Sequence, residues 1–332
     1  MNTGIGGGHK AEAGGWMRVL LSGLCLLAAA LPAGSAARAG EKTRVVLGTA
    51  TPGGGFPLYG AALADTVNEV DGTLQVVPQN TKGSAENIPL LQAEKLDIAL
   101  VQGEAALAVL HGAAQRLPIL FAMYATPGMF VARADAPYRT IADLRGKPVA
   151  FGARGSGLVL LAGYVLDGLG LDRDRDFVPI LLDAAGDGPR LVIEGKAAAL
   201  WGGGVGWPGF TTLANSPAGA RFIVPDDEGI ARILAKHAFL QRLTVPAGSF
   251  PGQSQPILSV GSWSFILTRP TLPEEVAYRL ARALHKGEAA LGQRLPQARE
   301  TTAANTAKAA RYELLHPGVA RYLRDIGLIA GP

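Results

Sequence analysis

The chain has little cysteine and few aromatic residues, and both shortages exclude classes of protein. Its 332 residues include one cysteine, Cys25, and phenylalanine, tryptophan and tyrosine together make up 6%. Cys25 lies in an N-terminal segment that we expect to be removed, so neither disulfide bonds nor thiol catalysis are expected in the mature chain. The low aromatic content, together with 44 glycines and abundant alanine and leucine, is typical of α/β proteins.

Long runs of one charge sign are also missing. The formal net charge is +4, and removing residues 1–39 leaves 28 basic and 26 acidic residues. Because the two signs are mixed along the chain and no long basic run occurs, nucleic acid is not an expected partner.

Apolar runs are short as well. The longest near the N-terminus, residues 19–31, is below the roughly 20 residues that span a bilayer. Lys10 and Arg18 precede this run, and an Ala-Arg-Ala sequence ending at Ala39 fits the rule for signal-peptide cleavage. The segment 1–39 is therefore predicted to be a signal peptide cleaved after Ala39, which places the mature protein in the periplasm. The alternative is an N-terminal anchor that stays attached.

Short apolar strands alternate with helical patterns along the rest of the chain. This alternation predicts an α/β fold with parallel sheets joined by crossover helices. Several strand candidates are apolar throughout, as strands covered on both faces are. The strand candidates are residues 44–49, 74–79, 97–102, 129–133, 148–152, 177–182, 197–201, 221–224 and 258–268.

Proline and capping residues predict where several helices begin. The first helix is predicted to begin at Pro57, because proline suits the first helical position. The second is predicted to begin near Asn87, with Asn87 favoured over Ser84 as the cap, because this start keeps Pro89 in the first turn. A long helix over residues 273–291 is predicted to be capped by Thr271. Further helices are predicted over residues 158–169, 189–195 and 228–240, from residue 301 and from residue 317.

Three glycine-rich loops follow predicted strands and precede predicted helices. They cover residues 51–56, 83–87 and 152–157. Open α/β sheets bind ligands at such positions, and the free N–H groups at helix N-termini favour an anion. Each loop alone is equally consistent with an ordinary turn, but three together predict one site for a small anion. Ser84, Asn87 and Ser156 would add side-chain hydrogen bonds there.

Two large side chains near these loops have two interpretations each. Arg154 lies inside the third loop, where an arginine can bind a carboxylate through two parallel hydrogen bonds or simply face solvent. Lys82 offers the same argument with less force. Trp207 follows a glycine-rich stretch, where its ring is either a wall of a ligand pocket or a packing element.

Motifs for nucleotides, metals and common enzyme mechanisms are missing. Residues 48–60 contain no phosphate-binding Gly-Lys-Ser/Thr sequence and no Gly-x-Gly-x-x-Gly pattern. Ser156 does not lie in a Gly-x-Ser-x-Gly nucleophile motif, and no two of the five histidines have metal-binding spacing. No cofactor and no metal are therefore expected, and the protein is predicted not to be an enzyme.

Taken in order, the loops and strands resemble the solute-binding subunits of TRAP (tripartite ATP-independent periplasmic) transporters, in the branch called TAXI. The resemblance implies a type II periplasmic-binding-protein fold, with two α/β domains joined by crossing strands around a ligand cleft. Residues 40–131 with 247–332 would form domain 1, and residues 132–246 domain 2. The matching stretches are Gly48-Thr-Ala-Thr-Pro-Gly-Gly-Gly-Phe-Pro-Leu-Tyr-Gly60, Gly83-Ser-Ala-Glu-Asn-Ile88, Leu96-Asp-Ile-Ala-Leu-Val-Gln102, and residues 141–149, 152–157, 245–252 and 316–322.

The resemblance also implies a function and a set of site residues. A monomer would capture a small organic acid or amino acid by domain closure and deliver it to a permease driven by an ion gradient. Phe56 stands where the family usually has tyrosine, which indicates a different or more apolar ligand, and Arg154 stands where it often has proline. The implied ligand-binding residues are Thr51, Gly54, Phe56, Ser84, Asn87 and Gln102 from domain 1, and Gly155, Ser156 and Trp207 from domain 2, to which Arg154 is added on its own chemistry.

Two other functions remain open at this point. A binding protein that serves a membrane histidine kinase as a sensor would capture its ligand in the same way. A periplasmic enzyme on a similar scaffold would need a nucleophile and a base within reach of each other, and the sequence offers no convincing pair.

Overall fold

The structure, a computed structural model, describes residues 42–110 and 116–330. The predicted signal peptide, residues 1–39, lies outside the described residues. Ten strands occur in the described part of the chain: β1 (Thr43–Gly48), β2 (Leu74–Gln79), β3 (Ile98–Val101), β4 (Ile119–Arg133), β5 (Pro148–Ala153), β6 (Val178–Leu182), β7 (Ala199–Gly203), β8 (Ala220–Ile223), β9 (Gln241–Val245) and β10 (Ile257–Thr268).

Most strands lie where the sequence predicts them, within two residues at each end, but β4 is three times longer than predicted. The predicted strand 129–133 is only its last part, because Thr126, Pro127 and Gly128 together resemble a turn. The chain continues as a strand there, and the glycine serves packing instead. A Cβ atom on Gly128 would lie 2.5 Å from the ring of Trp201. A glycine inside a strand can thus mark the close approach of a large side chain.

The sheet is mixed, so the prediction of parallel sheets is correct only for two groups of strands. Its order is β2-β1-β3-β10-β4-β7-β5-β6, with β8 paired to β4 and β9 paired to β10. Strands β1, β2 and β3 pair in parallel, as do β5, β6 and β7. The two long strands β4 and β10 run antiparallel to each other and to their other neighbours. These two strands therefore connect the two parallel groups.

Eleven α-helices occur in the described residues, and none of them is long and apolar enough to cross a membrane. They are α1 (Gly55–Val70), α2 (Ser84–Gln92), α3 (Gly103–Leu110), α4 (Gly157–Gly168), α5 (Arg173–Asp176), α6 (Gly188–Ile193), α7 (Pro208–Ala214), α8 (Asp227–Lys236), α9 (Glu274–Arg294), α10 (Ala303–Ala309) and α11 (Pro317–Asp325).

Two predicted helix caps are wrong. Helix α2 begins at Ser84 with Gly83 as its N-cap, so Asn87 lies inside the helix. The amide of Asn87 donates from Nδ2 to two main-chain carbonyl oxygens at 2.8 Å, which ties the helix to the neighbouring strands. Pro89 has no N–H group to donate to the Ala85 carbonyl. The helix tolerates this loss because Ala85 is exposed, where water can donate instead. Helix α9 has Pro273 as its N-cap in place of Thr271.

The buried apolar side chains form three clusters. The first draws on residues 45–124 and 266–323, and the other two draw on residues 129–260. The described residues, 42–110 and 116–330, belong to one compact unit. The division of the chain into domain 1 and domain 2 stays a prediction.

A buried hydrogen bond connects α1 with the C-terminal part of the chain. Thr301 Oγ1 donates to the Met123 carbonyl at 2.8 Å, so the fully buried Tyr59 hydroxyl, at 3.0 Å, is the donor to Thr301.

We expect Tyr59→Phe to lower the free energy of unfolding by about 1 kcal/mol, measured by urea denaturation, because one buried hydrogen bond is lost. The control is Tyr312→Phe at an exposed site, where a change below about 0.5 kcal/mol is expected. Equal effects of the two changes would contradict this role of Tyr59.

Candidate functional site

One cavity of about 50 Å³ lies where strands end and helices begin. Its wall combines turns from predicted domain 1, turns from predicted domain 2 and the middle of β4. The lining residues are Ala50, Thr51, Gly54, Gly55, Phe56, Lys82, Gly83, Ser84, Gln102, Tyr124, Thr126, Gly152, Ala153, Ser156, Gly157, Leu158, Ala185, Gly203 and Trp207.

The structure brings most of the predicted site residues to this cavity. Residues from all three glycine-rich loops share its wall. Seven of the ten predicted residues line it, namely Thr51, Gly54, Phe56, Ser84, Gln102, Ser156 and Trp207.

The other three predicted residues do not line the cavity. Asn87 is fully buried and its amide nitrogen is used within the fold. The carbonyl oxygen of Gly155 accepts a hydrogen bond from the Ala85 amide at 3.1 Å, so this glycine contacts the opposite loop. The side chain of Arg154 is 65% exposed, and its Nε lies 3.8 Å from a carboxylate oxygen of Asp183. The structure thus gives Arg154 a surface position.

Four helices begin at the cavity wall. Gly54, Gly83 and Ser156 are the N-caps of α1, α2 and α4. The carbonyl of Gln102 accepts the Ala106 amide at 2.9 Å, which makes Gln102 the residue that opens α3. The first amides of a helix have no partner within the helix, and its N-terminus carries a partial positive charge. The wall therefore favours a negatively charged group.

Hydroxyl groups add hydrogen-bonding capacity to this wall. The Thr51 hydroxyl oxygen accepts the Ala185 amide at 3.2 Å, and Ser84 Oγ accepts the Gln102 amide at 3.1 Å. Ser156 Oγ accepts the amide of Leu158 at 3.2 Å. Since each oxygen is held as an acceptor, its own hydrogen can be donated into the cavity.

The charge of the lining matches the helix termini. Lys82 is the one charged residue among the lining residues, and no carboxylate is present there. A carboxylate on this lining would repel an anionic guest strongly, because a protein interior screens charges less than water does. The wall is suited to an anion and not to a cation.

Aromatic rings complete the wall. Trp207 is 4% exposed, lines the cavity and packs against Phe210 with ring centroids 4.8 Å apart. A Cβ atom on Gly55 would lie 3.1 Å from the Trp207 ring. Trp207 therefore does both things that the sequence allows: it forms part of the cavity wall and it packs against neighbouring residues. Trp201 instead belongs to the core, where its Nε1 donates to the Leu158 carbonyl at 2.7 Å.

Loops of the two predicted domains contact each other directly across the cavity. Besides the bond from Ala85 to Gly155, the Gly186 amide donates to the Pro52 carbonyl at 3.3 Å. A Cβ atom on Gly53 would lie 2.4 Å from the Gly186 Cα atom, so only glycine permits this approach. The structure is therefore closed around the cavity.

The closed cavity is small. Its volume of about 50 Å³ is well below the roughly 150 Å³ of a cavity that accommodates benzene. It holds a few water molecules or a guest of a few heavy atoms. A larger guest requires the loops of the two predicted domains to move apart.

A buried carboxyl group lies next to the wall. Glu104 is 4% exposed, and its Oε1 accepts a hydrogen bond from Ser262 Oγ on β10 at 2.7 Å. Burial raises the pKa of Glu104 to about 7, although the hydrogen bonds from Ser262 and from its own amide, together with the nearby Gln102 side chain, partly oppose this effect. A group with this pKa changes its charge near neutral pH.

Sequence analysis missed three polar side chains of this region. Tyr124 and Thr126 line the cavity from the part of β4 that was not predicted as a strand. Glu104 follows the apolar strand β3 by only three residues, and a charged residue at the carboxyl end of a buried strand was a usable signal.

Comparisons with known proteins agree with this fold. The model of the NMT1-like family matches residues 47–327, and the chain belongs to this family. The periplasmic binding protein BugD is 15% identical, with a TM-score of 0.54 over 87% of this chain and 98% of that chain. A structure described as a periplasmic transporter is 13% identical, with a TM-score of 0.53 over 79% of this chain and 88% of that chain. The predicted fold class, that of periplasmic binding proteins, is confirmed.

Glu104 predicts a pH dependence of stability. Its folded-state pKa of about 7 lies above the ordinary 4.5, so the folded protein holds a proton that the unfolded chain releases between these values. The stability that this proton gives is complete below about pH 4.5 and is lost as the pH rises through about 7. We expect urea denaturation to show wild type losing about 3 kcal/mol relative to Glu104→Gln between pH 4.5 and pH 8. Parallel pH profiles of the two proteins would contradict this.

Proposed function

We propose that the protein is a periplasmic solute-binding protein that captures a small organic anion, a carboxylate or an amino-acid-like molecule. The observation that carries this proposal is the shared cavity, where four helix N-termini and several hydroxyls meet with no carboxylate on the lining. Such a wall supplies hydrogen-bond donors and partial positive charge to one guest.

We further propose that capture proceeds by closure of two domains, residues 40–131 with 247–332 and residues 132–246. A guest that contacts Ser84 from one domain and Ser156 from the other gains contacts only when both loops surround it. This difference in contacts shifts the equilibrium toward the closed form. Strands β4 and β10, which connect the two parallel groups of strands, would bend as the domains close.

The partner that we propose is the membrane permease of a TRAP transporter, with this chain as its TAXI-type subunit. The ordered motifs described above support this assignment. As part of this assignment we propose that the mature protein is a periplasmic monomer released from its signal peptide. We also propose that it has no enzymatic activity. The Arg154 side chain, which faces solvent, would then contact the ligand only in a different loop conformation.

The ligand class is tested by thermal stability. We expect acetate, succinate or L-glutamate to raise the melting temperature, while the cation putrescine and neutral glycerol do not. An anion at 100 times its dissociation constant adds about 2.7 kcal/mol of stability. Ser84→Ala is expected to weaken binding of that anion about tenfold, because it removes one hydroxyl donor in a buried site. Stabilisation by putrescine equal to that by the anions would contradict the proposal.

Closure is tested with two glycines of one helix. A Cβ atom on Gly157 would lie 2.5 Å from the Gln102 Cβ atom of the other predicted domain, whereas a Cβ atom on Gly163 meets nothing within 4 Å. We expect Gly157→Ala to weaken anion binding at least tenfold, because the added methyl group keeps the loops apart. Gly163→Ala is the matched control, with unchanged affinity and about 0.5–1 kcal/mol more stability. Equal affinities of the two variants, measured by calorimetry, would argue against closure.

A further inference from the structure

Glu104 occupies an unusual position for a carboxyl group. It is the second residue of α3, and Ser262 Oγ on the connecting strand β10 donates to its Oε1 at 2.7 Å. Its Oε2 is buried and has no hydrogen-bond partner. A buried acceptor without a partner is costly, which calls for an explanation in terms of function or protonation.

Gln102 presents the complementary feature two residues earlier. Its side chain is 3% exposed and lines the cavity. The main-chain amide of Gln102 is held by Ser84 Oγ at 3.1 Å, but the side-chain Nε2 has no partner. The Gln102 side chain lies near enough to Glu104 to oppose the rise of its pKa, although neither Gln102 Nε2 nor Glu104 Oε2 has a partner in hydrogen-bonding geometry.

Among the described residues of the elements that pack most against α3, no charged group compensates a negative charge on Glu104. Helix α3 packs mainly against β10, α4 and α2. Strand β10 has no ionisable residue, and the ionisable residues of the two helices are Tyr164 and Asp167 in α4 and Glu86 in α2. Asp167 binds Lys236 and His237, and Glu86 accepts the Lys82 amide. None of these groups is a cation for Glu104.

We infer that Glu104 is a proton-linked positioning residue of the cavity. When Glu104 is neutral, the Gln102 amide is free to donate from Nε2 to an anionic guest. When Glu104 is charged, its carboxylate accepts that hydrogen bond and also repels the guest. This inference rests on the proposed function, because it assigns a regulator to the same anion site.

The physical chemistry favours a switch in the neutral pH range. The partial positive charge at the N-terminus of α3 stabilises the carboxylate by about 0.3–1 kcal/mol for an exposed group. Burial outweighs this contribution and raises the pKa of Glu104 to about 7. Above that pH the guest and a proton bind together, so the affinity for an anion falls as the pH rises.

The experiment compares wild type with Glu104→Gln, a neutral mimic, and with Glu86→Gln as a matched first-turn control. The dissociation constants of acetate, succinate and L-glutamate are measured by calorimetry at about pH 6 and about pH 8.5. We use two cationic buffers with different ionisation enthalpies, which report proton uptake directly. Wild type and Glu86→Gln are expected to bind about tenfold more weakly at the higher pH, and Glu104→Gln less than about twofold more weakly.

A second variant keeps the inference testable if Glu104→Gln does not fold. Ser262→Ala removes the donor to Oε1 that favours the charged carboxylate, so the midpoint of the pH profile moves upward. A purely structural role of Glu104 would leave this midpoint in place.

The outcomes separate the inference from the proposed function. Anion binding that is independent of pH in wild type, or equally dependent on pH in Glu104→Gln, overturns the role of Glu104 and leaves the proposed function intact. Absence of binding by every anion at both pH values overturns the proposed function and this inference with it.

Discussion

The direct contact of glycine-rich turns across one cavity constrains the rest of the structure. Residues 51–53 and 83–85 approach residues 155–157 and 185–186 closely enough to share two main-chain hydrogen bonds and one from the Ala185 amide to the Thr51 hydroxyl. Side chains at Gly53 or Gly157 would prevent this approach. The same turns begin helices, so the approach also brings several helix N-termini to one small volume. The loops therefore need glycine where their chains approach closely, and they need groups that donate hydrogen bonds where they line the cavity.

Three buried polar atoms near the cavity lack a hydrogen-bond partner, as do Arg221 Nε and Thr268 Oγ1 elsewhere in the described residues. Asn87 Oδ1, Gln102 Nε2 and Glu104 Oε2 are buried without partners, close together in sequence and beside the cavity or its supporting helices. Buried polar atoms normally find a partner, and exceptions occur where function requires them. In the bound state the proposed anion would accept a hydrogen bond from Gln102 Nε2, and the proposed proton would neutralise Glu104, whereas neither supplies a partner for Asn87 Oδ1.

Much of the fold could be predicted from sequence, because apolar strands and helix starts leave local signals. Strand β2 was placed without error, and the loops that line the cavity were found from glycine alone. Features that depend on distant packing could not be found in this way. Gly128 resembles a turn until Trp201 covers it, and Asn87 resembles a cap until strand carbonyls bind its amide. Arg154 lies in the predicted loop, but its side chain faces solvent beside Asp183.

A crystal structure of the protein with its tightest anionic ligand tests the central claim most directly. The account predicts electron density for one guest between Ser84 and Gln102 on one side and Ser156 on the other, within hydrogen-bond distance of all three. A guest bound elsewhere on the surface, with this cavity still closed and empty of it, would contradict the account.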